Sequence, residues 1–255
     1  LVIIVSLNAC SSESQTLKPS TNNNGSTSSS EYPEEGTPSP AFTLADLLLP
    51  TQPGVSLFEN NGISIDYSNN SYGYISVKAS DSSAKQKLQV ILGETTYTYD
   101  LVSNEYIVVP LQMGDGTYTI RALKNVDGNN YSILTSINID VTLDDEFTPY
   151  LYPNQIVDYN ATTKAVLKSF DLTIDDESDL KRVFEIYSYI TENITYDYDK
   201  AKVATTTFIL PIIDETYISE KGICFDYAAL MTAMLRAQHI PTRVITGMTD
   251  VGYHA

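Results

Sequence analysis

The chain has 255 residues, 42% of them apolar, enough for one large core or two modest ones. It carries 32 acidic against 15 basic side chains, a net charge of −17. A surface so acidic, with no basic stripe to offset it, repels polyanions, so no nucleic-acid partner is expected.

The first element is the apolar run Leu1-Val2-Ile3-Ile4-Val5, with no methionine before it, and the signal is expected to be incomplete at its start. Leu7-Asn8-Ala9-Cys10 follows: an apolar residue, two more ending in a small one, then cysteine. This resembles the lipobox of bacterial lipoproteins. The resemblance implies that residues 1–10 are a signal segment and that the Cys10 thiol accepts a diacylglycerol. The run is too short to cross a bilayer as a helix. An ordinary cleaved signal is the alternative, but the Ser/Thr/Asn-rich tract after Cys10 favours the anchor. The expected location is therefore extracytoplasmic, with the membrane as a partner through the lipid on Cys10.

Residues 11–53 are rich in Ser, Thr, Asn, Pro and Glu and poor in apolar side chains. Such a stretch cannot bury enough surface to offset ordering and predicts a disordered tether, with an end-to-end distance on the order of 35 Å. The apolar island from Phe42 to Leu49 could form a docking turn, but it is grouped here with the tether.

From 54 to 145 the apolar period is two. Strands are expected at 63–67, 72–77, 88–92, 96–101, 106–110, 117–123 and 131–143, with turns at Gly93-Glu94, Gly114-Asp115-Gly116 and Asp127-Gly128. Seven short alternating strands suit an immunoglobulin-like β-sandwich. Asp127-Gly128-Asn129-Asn130 lacks the spaced oxygen ligands of a calcium loop and reads as a hairpin. The tyrosines of this region suit cross-strand packing, with a carbohydrate-binding face as the alternative.

After Tyr150-Leu151-Tyr152-Pro153-Asn154 the period becomes helical. Asn160 is expected to cap a helix running to Phe170. Asp175, Asp176, Glu177, Ser178 and Asp179 place acids and a cap before an amphipathic stretch whose apolar face is Leu180, Val183, Phe184, Tyr187 and Ile190. A charged first turn accounts for the acids better than a metal site does. Cys224 then opens a helix in which Ala228, Met231 and Leu235 repeat at helical spacing. Gly222 permits a tight entry and a close approach of substrate to the backbone. The free amides and positive potential of a helix start stabilise a thiolate and suit a developing oxyanion. The helix ends near His239 at Ile240-Pro241. A strand is expected over 242–247, then a turn, then a second strand at Tyr253-His254-Ala255.

Glycine two residues before a cysteine, an aromatic residue and alanine soon after it, a helix ending at Ile-Pro, and a histidine-alanine pair after a strand and turn occur together and in order. From about 145 to 255 this pattern resembles the transglutaminase-like superfamily, whose thiol fold is papain-like. The segment from Ile190 to Asp199 is similar to the family's lead-in helix. The resemblance implies that Cys224 is the nucleophile and His254 the general base. It also implies an aspartate on a later strand, which would lie beyond the end of this chain. Of the two histidines, His239 would sit about 22 Å along the same helix from Cys224, so it is assigned as a helix cap.

The expected fold class is α+β: an immunoglobulin-like sandwich over 54–145, then a transglutaminase-like domain over 146–255 that is incomplete at its C-terminal end. The expected activity is hydrolysis or acyl transfer at amide bonds of protein or peptide substrates through a thioester, with no cofactor and no metal. The alternative is a surface binding or scaffold protein whose thiol fold no longer turns over.

Overall fold

The computed structural model describes residues 38–80, 84–101, 104–174, 178–250 and 252–255. The lipobox with Cys10, the tract up to residue 37, and Asp175, Asp176 and Glu177 lie outside the described residues.

Strands come first and helices after them. Among the described residues, eight strands fill the first part: β1 (Leu57–Asn60), β2 (Ile63–Asp66), β3 (Tyr74–Ala79), β4 (Gln86–Leu92), β5 (Thr95–Leu101), β6 (Ile107–Pro110), β7 (Gly116–Asp127) and β8 (Asn130–Val141). Seven correspond to strands expected from the alternation. The additional one, β1, has the sequence LFEN and exposes most of its side chains, so it carries no apolar period. The strands form two antiparallel sheets, ordered β1-β2-β3-β6 and β5-β4-β7-β8. A single apolar cluster joins them: Ile65, Ile75 and Val77 of one sheet share it with Leu88, Val90 and Ile120 of the other. Each of these side chains is fully buried, a contribution of about 1.5–3 kcal/mol apiece. A register slip of one residue would turn this set outward, and that cost holds the pairing.

The tyrosines divide by depth. Tyr74, Tyr99 and Tyr118 are core residues. Tyr118 donates its hydroxyl to the Gly114 carbonyl at 2.8 Å and accepts the Met113 amide at 3.0 Å, and burial pushes its pKa up to about 12. Asp127 and Asn130 pair across the β7–β8 turn, and Asn125 donates its side-chain amide to the Gly128 carbonyl at 2.8 Å, so this segment is a hairpin.

Among the described residues five helices follow: α1 (Lys164–Leu172), α2 (Asp179–Asn193), α3 (Tyr198–Ala204), α4 (Ile213–Ser219) and α5 (Cys224–Ala237). Helix α5 is central. Every residue from Asp226 to Ala237 is buried, and α1, α2 and α4 pack around it. Its apolar side chains form a second core with Ile186, Ile190, Val166 and Ile213.

Several local expectations change. Asn160 is not the cap of α1: its carboxamide accepts the Thr162 amide in a local turn, and the helix starts after Thr163. The buried face of α2 is Arg182, Ile186 and Ile190, whereas Leu180 and Tyr187 are exposed. A charged residue holds the core position there, so counting apolar residues alone selected a face rotated from the true one. The segment from Ile190 to Asp199 is not one helix. Helix α2 stops at Asn193, Thr195–Tyr196 forms a two-residue strand (β9), and Asp197 caps α3 through the Asp199 and Lys200 amides. The strand expected over 242–247 does not form there; the strand of this region is β11 (Gly247–Thr249), paired with β12 (Gly252–His254). Thr242 instead donates its amide to the Tyr150 carbonyl at 3.0 Å, and Arg243 reaches the β-module.

Residues 38–53, assigned above to the tether, are placed against the fold. A short 3-10 turn, Leu44–Asp46, is closed by Asp46 accepting from the amide and hydroxyl of Thr43. Phe42 stacks flat on His239, ring centroids 3.9 Å apart, and Leu47 and Leu49 pack on the helical core. Arg182, 1% exposed, donates to the Pro40 carbonyl at 2.7 Å, a contact no composition argument anticipates. Further on, Tyr74 and Ser76 hold Thr51 and Gln52 against the sheet.

The two modules are joined by specific contacts. Arg243 donates to the Tyr97 hydroxyl of β5 at 3.1 Å, and within the second module Arg236 of α5 donates to the carbonyls of Thr242 and Tyr152. Burial lowers its pKa to about 10, still far above neutrality, so it remains a buried cation. Gln155 donates to the Asp100 carbonyl at 2.6 Å, and Pro149 lies so close to Gly73 that a Cβ there would fall 2.5 Å from its ring.

Candidate active site

Cys224 is the first residue of α5, with Ile223 as N-cap. The entry is shaped by two features. A short parallel bridge between β9 and β10 (Lys221–Gly222) fixes the approach of the chain. Asp226, in the first helical turn and 2% exposed, accepts the Ile223 amide at 2.9 Å and pairs with Lys200 of α3 at 2.9 Å. Gly222 answers to the same residue. A Cβ there would meet Asp226 Cβ at 2.8 Å and Thr216 Cγ2 at 3.1 Å, so the glycine makes room for the protein's own packing, not for a substrate. Tyr227 secures the next position by donating to the Ile194 carbonyl at 2.6 Å.

The cysteine is half-buried and free of any disulfide. It lines a cleft of about 540 Å³. The walls are Ile156, Tyr196 of β9, Ala201 and Ala204 of α3, and Phe208 and Phe225. His254, on β12, lines the same cleft. The Nδ1 of His254 lies 3.0 Å from the Ala255 carbonyl oxygen. The first amides of α5 have no acceptor within the helix, so Cys224 and Phe225 offer N–H groups beside the sulfur. A thiol, an imidazole and helix-start amides facing one apolar cavity are the components of acyl transfer through a thioester.

His239 is elsewhere. It follows the end of α5 in a left-handed conformation at φ 56°, the place glycine usually takes, and its Nε2 contacts the Asp46 carbonyl at 2.7 Å. Among the described residues no group of three or more His, Cys, Asp and Glu side chains is arranged to hold a metal ion, and no helix is long and apolar enough to cross a membrane.

Residues 168–255 match the family model described as the transglutaminase-like superfamily. This part of the chain is a transglutaminase-like domain. Among solved structures, the chain is similar to a candidate cysteine protease from Cytophaga hutchinsonii, at 16% identity, covering 71% of this chain and 73% of that one, with a TM-score of 0.36. No curated protein matches the chain.

Reading the sequence missed much of the wall around the cysteine of this domain. Tyr196, Phe208 and α3 arrive from segments 16 or more residues before Cys224. One local signal was available: Asp197 with helix formers after it marks the start of α3, and α3 carries Lys200 to Asp226.

Proposed function

We propose that this protein is a thiol enzyme acting on amide bonds of proteins or peptides, with Cys224 as nucleophile and His254 as general base. The observation that carries the reading is that Cys224, at the start of a buried helix, and His254, from a separate hairpin, line the same cleft. In the reaction, the Cys224 sulfur attacks the amide carbon and the α5 amides hold the oxyanion. His254 delivers a proton to the leaving amine, and a thioester remains on the cysteine. Water resolves it to an acid, or a second amine to a new amide.

The strand order supports an immunoglobulin-like reading of the β-module: one sheet of four strands pairs β4 centrally with β5 and β7, the other runs β1-β2-β3-β6, and both close on one core. Its place beside the cleft makes it a support for the catalytic module. The Leu7 to Cys10 segment supports attachment to the outer face of a membrane through lipid on Cys10.

The test is intact-mass analysis of the protein incubated with glutamine-containing peptides, with and without an added primary amine. A thioester adduct on Cys224, absent in Cys224→Ala and lost to hydrolysis or amine, is the expected result. Turnover retained in a folded Cys224→Ala protein would remove the assignment.

A further inference from the structure

A second pocket, of about 260 Å³, adjoins the Cys224 cleft at the seam between the two modules. Ile156, Phe208, Phe225 and Thr246 line both, so the two spaces are neighbours across shared walls. The far side of the second pocket is β5 of the β-module, from Tyr97 to Asp100. Arg243 reaches into it from the segment after α5.

Arg243 is held in place without being neutralised. It donates to the Tyr97 hydroxyl at 3.1 Å, and its guanidinium carbon lies 5.7 Å from the centre of the Tyr150 ring. Among the described residues no carboxylate pairs with it. A guanidinium presents five donors in a planar fork suited to a carboxylate, and one bond to a neutral hydroxyl leaves most of that fork unused. Asp100 also lines the pocket, but Lys87 pairs with its carboxylate at 2.8 Å. The local balance therefore favours an anion, in a chain whose net charge of −17 disfavours anions almost everywhere else.

We propose that this pocket is a substrate subsite that receives a carboxylate, with Arg243 as its anchor, so that an acyl donor carrying an acidic side chain or a terminal carboxylate is selected. The proposal rests on the reading of Cys224 as the reactive centre, because it orients the substrate relative to that sulfur. It also assigns the β-module a part in specificity, since Tyr97 fixes the anchor.

The experiment uses Cys224 as a reporter, with site occupancy read by peptide mass spectrometry. The probes are N-iodoacetyl derivatives of glycine, β-alanine, γ-aminobutyrate and ε-aminocaproate, each compared with its own carboxamide. In each, the cysteine sulfur displaces iodide. At the chain length that spans the two spaces, the carboxylate is expected to label at least about tenfold faster than its carboxamide, the effect of a charge-assisted hydrogen bond. The ratio is expected to fall towards one in Arg243→Gln and at high salt, and to be partly kept in Arg243→Lys. A ratio at or below one for every length in the unmodified chain overturns the subsite, as does a ratio that survives in Arg243→Gln. The thiol reading is judged separately, from the rate with plain iodoacetamide relative to glutathione. A sluggish Cys224 would count against that reading while leaving the carboxylate-to-carboxamide ratio measurable.

Discussion

Lys200 donates to Asp226 at 2.9 Å, and this ion pair joins the α3 wall of the cleft to the first turn of the helix that bears Cys224. The other oxygen of Asp226 accepts the Ile223 amide, so one carboxylate both closes the helix start and fastens the wall. Asp226→Ala leaves Lys200 without its partner and the Ile223 amide without its acceptor. It is expected to cost about 3 kcal/mol, from losing one side of a buried pair. Thermal denaturation should show a clear loss of Tm, and alkylation of Cys224 should slow as the helix start loosens. Asp226→Asn, which can still accept the amide, should lose less.

Gly222 gives a second measurement at the same corner. Gly222→Ala drives a methyl group to 2.8 Å from Asp226 Cβ, against a side chain fixed from two directions. The expected penalty is about 1–3 kcal/mol, the usual cost of overpacking a well-filled site. Chemical denaturation compared with Asp226→Ala checks it. The double variant should lose close to the sum of the two, because alanine at 226 keeps the Cβ that the new methyl group meets.

The strap from 38 to 50 rests on Arg182, His239 and the helical core. Phe42→Ala removes the ring that stacks on His239 and lies 5.7 Å from the Arg182 guanidinium, and should make the strap an early target of limited proteolysis while the helical core persists. Cleavage confined to other loops would count against this.

The strap also has an acid limit. The Thr43 amide, with the Thr43 hydroxyl, holds the Asp46 pKa below its usual 3.8. A carboxylate whose folded pKa is lowered contributes stability above the unfolded value and loses it as pH falls through the folded one. Strap cleavage by an acid-active protease should therefore rise below about pH 4, and Asp46→Asn should show that increase at neutral pH.

Legibility varied with how local each cause was. The strands of the β-module were readable because alternation is a property of neighbouring residues, and Leu88, Val90 and Ile120 had to share a face. The position of Cys224 at a helix start was readable for the same reason, from Gly222 and the apolar spacing after it. The buried face of α2 was not, because Arg182 takes a core place only when the Pro40 and Ser39 carbonyls come to meet it from far along the chain. The docking of the strap was signalled only by the apolar island from Phe42 to Leu49, which the polar tract around it outweighed.

The sequence by itself determined the order of strands and helices, the acidic surface, and the residue types that thiol chemistry needs at Cys224 and His254. Only the tertiary structure decided that a hairpin strand brings His254 into the cleft of Cys224, that Lys200 fastens its wall, and that Arg243 faces a neighbouring pocket. Periodicity records which side of an element meets water, but not which distant element covers the other side. That choice follows from close packing, in which every contact depends on all the others around it.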